Sequence, residues 1–464
     1  MNLFRVMIVG AITVLGLASC GANRSMGVEY VPSVASRSQV LPTDLPPMKA
    51  FASSGTDGPS RPNSEIAGDF LDLAFQLESG RTLPVLSRFE GPITLALRGD
   101  VPGSMQADLD RLVQRLKGEA GIDIRVGTDG GPASITVEVI KKRDLQRLVP
   151  HAACFVAPGV SSWTEYKRTR HSNRTDWTRL TRREQMAVFL PGDVSPQEMR
   201  DCLHEEIAQA LGPVNDLYRL PDSVFNDDNF HTVLTGFDML VLRAFYAPEL
   251  ASGMTRAQVA ARLPGLLARL NPAGGRGTLN GAAPTPVAWK TAIETALSGA
   301  GAATDRREAA TQAVLLARRQ GWHDTRLAFS LFALGRLNLG VNSDIALAAF
   351  REAEQIYGAR QATHLQAAHM GVQLAAHALS LGNAETAIAI ADGHMRAVTQ
   401  AENAALLATL LMIKAEGLDH LGRDAEAQLV RLDSLGWARY GFGSDAEVGA
   451  RLAEIAAIAP GLRS

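Results

Sequence analysis

The chain has 464 residues, 46% of them apolar and 20% charged, with a formal net charge of -2, which is enough for two or three domains with cores of their own. The near-neutral balance excludes bulk electrostatic attraction to nucleic acid or to anionic membrane surfaces.

Met1 to Cys20 differs from everything after it. One basic residue (Arg5), an apolar run from Val6 to Leu17 and the small-residue box Leu17-Ala18-Ser19-Cys20 have the pattern of a lipoprotein signal, too short to span a bilayer. The expected mature chain starts at Cys20 with lipid on its thiol, its membrane contact being that lipid; the plainer reading is an ordinary cysteine behind an ordinary signal peptide. Gly21 rather than Asp follows the cysteine, which in well-studied bacteria allows sorting to the outer membrane. The expected location is therefore the periplasmic face of the bacterial envelope, on the outer rather than the inner membrane. Export bears on the two remaining cysteines, Cys154 and Cys202. In an oxidising compartment they most simply pair with each other, closing a loop of about 48 residues worth ~4 kcal/mol; two buried free thiols are the alternative.

Residues 21–63 are rich in Ser, Pro and Gly without a sustained period, and are expected to be a tether with no core of its own. Helical spacing follows from Ser64 to Leu77. Then Ile93–Arg98 alternates as a strand, Ser104–Glu119 is helical, and Ile122–Val126 and Ser134–Ile140 are strands. Between Ser161 and Glu184 seven basic residues (Lys167, Arg168, Arg170, Arg174, Arg179, Arg182 and Arg183) interleave with Trp163, Tyr166 and Trp177. Acidic Glu165, Asp176 and Glu184 dilute them, so the segment reads as a solvated excursion whose rings pack on the domain beneath, with no nucleic-acid motif. Gln185–Leu190 is expected to be an edge strand.

The stretch Cys202-Leu-His-Glu-Glu-Ile-Ala-Gln-Ala-Leu-Gly-Pro-Val-Asn-Asp216 organises this half. On a helix, Glu205 and Gln209 share a face, and a left-handed bend at Gly212 would bring Asn215 back to the same point. Further on stand Ser223-Val224-Phe225 and Leu234-Thr235-Gly236-Phe237-Asp238, then a helical run to Phe245-Tyr246. These residues resemble the metzincin frame H-E-x-x-H-x-x-G-x-x-H, with its Met-turn, in the matrixin branch. They are more closely similar to a bacterial family known as domain of unknown function 2927, which looks like a decayed version of that frame.

The resemblance places Glu205, Gln209 and Asn215 at the three ligand positions, Glu206 at the general base, Gly212 and Asp216 at the site turn, and Phe225 where the Met-turn has methionine. With all three imidazoles replaced, the expectation is no zinc, no cofactor and no peptidase activity; Glu206 would be catalytic only if the site were active. Asp216 and His231 are the groups that could then converge on Glu206. Asn226-Asp227-Asp228-Asn229 invites a calcium reading but lacks an EF-hand's spacing, and a polar turn fits better.

After a helix at Met254–Leu270 and a Gly/Pro-rich linker at 271–286, every segment has helical period. Leu339-Gly340, Leu381-Gly382 and Leu421-Gly422 recur at spacings of 42 and 40 residues, each between two amphipathic helices. Residues 287–464 thus resemble tetratricopeptide repeats of long period, which implies a groove for a peptide or protein; an alanine-rich buttressing bundle is the alternative. The expected class is α+β: a metzincin-like α/β domain over 64–270, then an all-α repeat domain. Three functions fit: a lipid-anchored envelope protein with a silent site that binds a peptide or protein, an envelope metallopeptidase with Glu206 as base, and a repeat scaffold with the first domain as spacer.

Overall fold

A computed structural model describes residues 45–52, 58–59, 61–127, 131, 133–150, 152–275 and 284–460. These fall into two compact units. One is Ala52–Pro286; the other is Val287 onward together with the segment ending at Phe51. The first is a mixed sheet with helices and the second is all helix, so the class is α+β. The expected signal segment and Cys20 lie outside the described residues, and among the described residues no helix is long and apolar enough to cross a membrane.

The first unit runs α1 (Asn63–Phe75), β1 (Ile93–Gly99), α2 (Gly103–Ala120), β2 (Ile124–Val126), β3 (Ile135–Ile140), α3 (Lys142–Leu148), β4 (Phe155–Pro158), α4 (Trp163–Thr169), β5 (Met186–Pro191), α5 (Pro196–Leu211), α6 (Gly236–Phe245) and α7 (Arg256–Leu270). The strand order is β2-β1-β3-β5-β4. All neighbours are parallel except β4, which runs antiparallel to β5.

The expected edge strand is therefore an interior one. Met-Ala-Val-Phe-Leu-Pro in β5 is buried along its whole length, because Met186, Val188 and Leu190 face the main core while Ala187 and Phe189 face a second cluster. A continuous apolar run is what a strand covered on both faces requires. The edge belongs instead to β4, four residues that sequence periodicity did not separate from their surroundings.

On one face of the sheet, α2, α5 and α6 bury Leu112, Leu116, Leu203, Ile207, Phe237 and Val241. On the other, Trp163 and Tyr166 of α4 pack with Phe155 and Phe189, ring centroids 5.0 to 5.6 Å apart for Phe155–Tyr166, Phe155–Phe189, Trp163–Tyr166, Trp163–Phe189 and Tyr166–Phe189. Those two rings are packing groups, as expected.

The second unit contains α8 (Val287–Leu297), α9 (Ala303–Arg319), α10 (Thr325–Asn338), α11 (Ser343–Gly358), α12 (His364–Ser380), α13 (Ala384–Gln400), α14 (Ala404–His420), α15 (Asp424–Gly441) and α16 (Asp445–Ala456). The three Leu-Gly pairs end α10, α12 and α14, with the glycines at φ of 71°, 76° and 73°. In that left-handed region a Cβ is strained, which explains why glycine recurs there. Small residues at the helix contacts (Ala346, Ala353, Ala387, Ala391) are fully buried, and α14 is buried nearly all round. Part of the expected tether is not extended into solvent: residues 45–51 pack on α15, with Phe51 in the helical core cluster.

A Cys154–Cys202 disulfide is formed. It joins the residue before β4 to the middle of α5. Because it closes a loop with a separation of 48 residues, replacing both cysteines by serine is expected to lower the unfolding free energy by ~2–4 kcal/mol. Urea unfolding with and without reductant measures this; a midpoint unmoved by reduction would rule the bridge out.

Candidate functional site

Helix α5 starts at Ser195, whose Oγ accepts the Glu198 N–H at 3.1 Å, with Pro196 in the first turn. Its far end leaves carbonyls that need donors in a dry interior. Arg183, only 2% exposed, donates from Nη1 to the Gln209 carbonyl and from Nη2 to that of Gly212, the latter at 2.5 Å. Tyr246 donates its hydroxyl to the Leu211 carbonyl at 3.0 Å. Burial pushes the Arg183 guanidinium down to about 10, still charged at neutral pH. In the sequence Arg183 belongs to a basic segment expected to be solvated; its neighbours give no signal that it turns inward.

Gly212 departs from expectation as well. Its φ of -164° and ψ of -78° are not left-handed. The glycine is needed because the Phe245 ring lies where a Cβ would be, 2.8 Å from Cγ and 2.9 Å from Cδ1.

Glu206 is fully buried and Glu205 half-buried. Gln209, 5% exposed, donates from Nε2 to Asp216 Oδ2 at 3.4 Å. Asn215 donates from Nδ2 to the Asp72 carbonyl of α1 at 3.0 Å, and its Oδ1 accepts the Asp216 N–H at 3.1 Å. One end of that carboxamide thus holds the loop to α1 and the other holds the adjacent backbone. A zinc hydrolase site needs three donors aimed at one ion and a base that reaches a bound water. With Asn215 engaged this way and Glu206 sealed, the residues do not fit zinc.

Asp216 meets a different set from the expected one. Glu78, Asp216 and Asp227 bring carboxylate oxygens within 4.8 Å of one another, a donor set of the kind hard cations take rather than zinc. Glu78 was not singled out by sequence; it lies in the turn after α1, far from the motif along the chain. Asn226 and Asp228 form the expected polar turn, through Asn226 Nδ2 to Asp228 Oδ2 at 2.7 Å and Asp228 N–H to Asn226 Oδ1 at 3.0 Å. His231 is half-buried and is not part of the carboxylate group.

The turn at Ser223-Val224-Phe225 is fixed by Asp238. Its carboxylate accepts from Ser223 Oγ at 2.5 Å and Val224 N–H at 3.1 Å, and closes a capping box with Thr235 at the start of α6. Burial pushes this carboxyl up to about 7 against those hydrogen bonds. Phe225 is fully buried beside the turn. The spacing from Leu234 to Asp238 therefore has a structural role. His204, next to the motif, accepts the Leu234 N–H on Nδ1 at 3.2 Å. Its pKa is held well below 6.5, first by burial and then by Arg200, Arg115 and Arg111.

Two outcomes follow from these contacts. Arg183→Met keeps the length but strands the buried carbonyls, and is expected to lose ~2–4 kcal/mol by chemical denaturation; a loss below the error of the method would mean water takes over the capping. For His204, the unfolded chain takes up a proton as pH falls through 6.5 while the folded state resists it. Stability from this group is thus present above 6.5 and lost below, by at most about 1.4 kcal/mol per pH unit. Unfolding series over pH with His204→Gln should show a shallower acid slope; an identical slope would place the titration elsewhere.

No curated protein and no solved structure matches the chain. Residues 63–265, from α1 into α7, match the family model described as Protein of unknown function (DUF2927), which spans the five-stranded unit.

Proposed function

We propose that the chain is a lipid-anchored protein of the bacterial envelope, in which a metzincin-like module without peptidase activity and a tetratricopeptide-like array bind a peptide or protein partner. The order of strands and helices ahead of α5, and the tie between the Ser223 turn and Asp238, support the metzincin-like reading. The paired helices closed by Leu-Gly turns support the repeat reading. What carries the absence of peptidase activity is Asn215: the third ligand position is tied to α1 by one end of its carboxamide and to the backbone of Asp216 by the other.

The surface offered to an extended peptide is β4. Gly159 N–H donates to the Gln185 carbonyl at 2.8 Å, and the register pairs Ala157 with Ala187 and Phe155 with Phe189. Antiparallel pairs alternate, so Val156 turns its N–H and C=O away from β5, as does the Pro158 carbonyl; Pro158 is buried beside residues 173–175, which leaves the half-buried Phe155–Val156 end as the part offered to a peptide. A proline fits at 158 because its missing N–H would have pointed outward. The disulfide holds this edge beside α5, and strand addition there needs backbone groups and no metal. The site of addition moves accordingly from Gln185–Leu190 to the Phe155–Val156 end of β4. A proline at Val188 would break an interior ladder instead of testing binding.

The test uses the purified, unlipidated mature chain and extended decapeptides selected on it by display. Val156→Pro is expected to weaken the selected peptides about tenfold while the chain keeps its native circular dichroism; peptides indifferent to it in the folded variant would remove the edge-strand reading. Metal content by plasma mass spectrometry, with Gln209→Ala and Asp227→Asn alongside, is expected to show no stoichiometric zinc. Zinc lost with Gln209→Ala would restore the peptidase reading, whereas another cation lost only with Asp227→Asn would belong to the carboxylate group.

A further inference from the structure

The helical unit already holds a peptide. Residues 45–51, Leu-Pro-Pro-Met-Lys-Ala-Phe, lie on the outer face of α15. Lys49 N–H donates to the Gly436 carbonyl at 3.0 Å, Arg439 Nη1 donates to the Pro46 carbonyl at 3.0 Å, and Lys49 Nζ pairs with Asp433. Phe51 stacks on Trp437, ring centroids 4.4 Å apart and planes 25° from parallel, and the Lys49 ammonium sits 5.5 Å from the same ring. Along the helix, Pro46 lies by Arg439 and Lys49 by Gly436 and Asp433, so the segment runs antiparallel to α15.

Two features say that this face is shaped for such a segment. Glycine is a poor residue for the middle of a helix, yet Gly436 stands there. A Cβ at that position would lie 3.0 Å from Lys49 Cγ and 3.2 Å from the Pro47 carbonyl oxygen. The helix therefore keeps a bare backbone where the segment crosses it. In addition, every kind of group in the segment has a counterpart: an acid for the lysine, an indole for the phenyl ring, an arginine for the carbonyl ahead of the second proline. The hold is nevertheless light. Pro47, Met48, Lys49 and Ala50 are exposed, the ion pair is about 40% exposed on both sides, and Phe51 alone is buried. Exposed ion pairs contribute little, so one ring and two hydrogen bonds do most of the anchoring.

We infer that the outer face of α15 is a receptor site for an extended Pro-Pro-x-Lys-x-aromatic segment, filled in cis by residues 45–51, and that a partner carrying the same chemistry binds by displacing them. Covalent linkage makes the cis contact intramolecular, so a weak contact suffices to keep the face covered until a competitor arrives. The inference deepens the binding role proposed for the helical array and is independent of the β4 edge.

The experiment titrates a fluorescent, end-blocked peptide of residues 45–51 against the full mature chain and variants of it. Wild type is expected to bind it poorly. Lys49→Ala with Phe51→Ala, which releases the cis segment, is expected to bind it at least about tenfold more tightly. Gly436→Leu in that released background should abolish binding, and Asp433→Lys should weaken it and be rescued by a peptide with Lys49→Glu. Helical circular dichroism monitors folding of each variant. Absence of saturable binding to the released, folded variant overturns the inference, as does equal binding to wild type. Val156→Pro separates the two proposals, since it should leave this titration unchanged.

Discussion

The structure of the first unit depends on how the end of α5 is satisfied. A helix that stops inside a protein leaves carbonyls without donors, and each one costs free energy unless something reaches it. Here the donors come from outside the helix: Arg183 from the loop ahead of β5, and Tyr246 from beyond α6. Bringing Tyr246 in draws Phe245 against residue 212, which leaves room only for glycine. Asn215 then fastens the outgoing chain to α1, and Asp238 fastens the next turn to the start of α6. The junction is held by protein hydrogen bonds at the place where, on the proposed metzincin-like reading, a metal would otherwise organise the residues.

That construction bears on what the module can do. Glu206 is fully buried and Asn215 is tied to α1, and on the proposed reading the module therefore lacks the open position and water-contacting base that a zinc hydrolase uses. Binding is affected differently. The edge strand β4 is part of the sheet, and its position beside α5 is set by β5 on one side and by the Cys154–Cys202 bridge. Such an edge binds through backbone groups, which depend on no ion. The second unit offers an extended segment a different surface, a helix face with a bare glycine and an indole, where recognition runs through side chains as much as backbone.

Local pattern and tertiary placement contributed differently to each element. Helices such as α2, α5 and those of the second unit announce themselves by spacing, and the Leu-Gly pairs announce three of their ends, because period and left-handed turns are properties of a few consecutive residues. β4 did not, since four residues carry too little alternation. The apolar run of β5 marked it as a strand, but whether it lies at the edge depends on which strand pairs with it from elsewhere in the chain. Lys49 and Phe51 sit in a stretch whose composition reads as linker; only contact with Asp433 and Trp437, nearly four hundred residues away, makes them ordered.

By itself the sequence determined the α+β class, the division into a sheet-bearing half and a helical half, and the spacing of the site helix and its following turns, and it made a Cys154–Cys202 pair the simpler of two readings. Each of these is written in local period, composition or a count of thiols. Tertiary structure alone decided that Arg183 caps α5, that Gly212 yields to a ring rather than to a left-handed turn, that Glu78 joins Asp216 and Asp227, and that residues 45–51 lie on α15. Those arrangements bring together groups distant in the chain, and their free energy comes from burial and hydrogen bonding that exist only once the whole unit has closed.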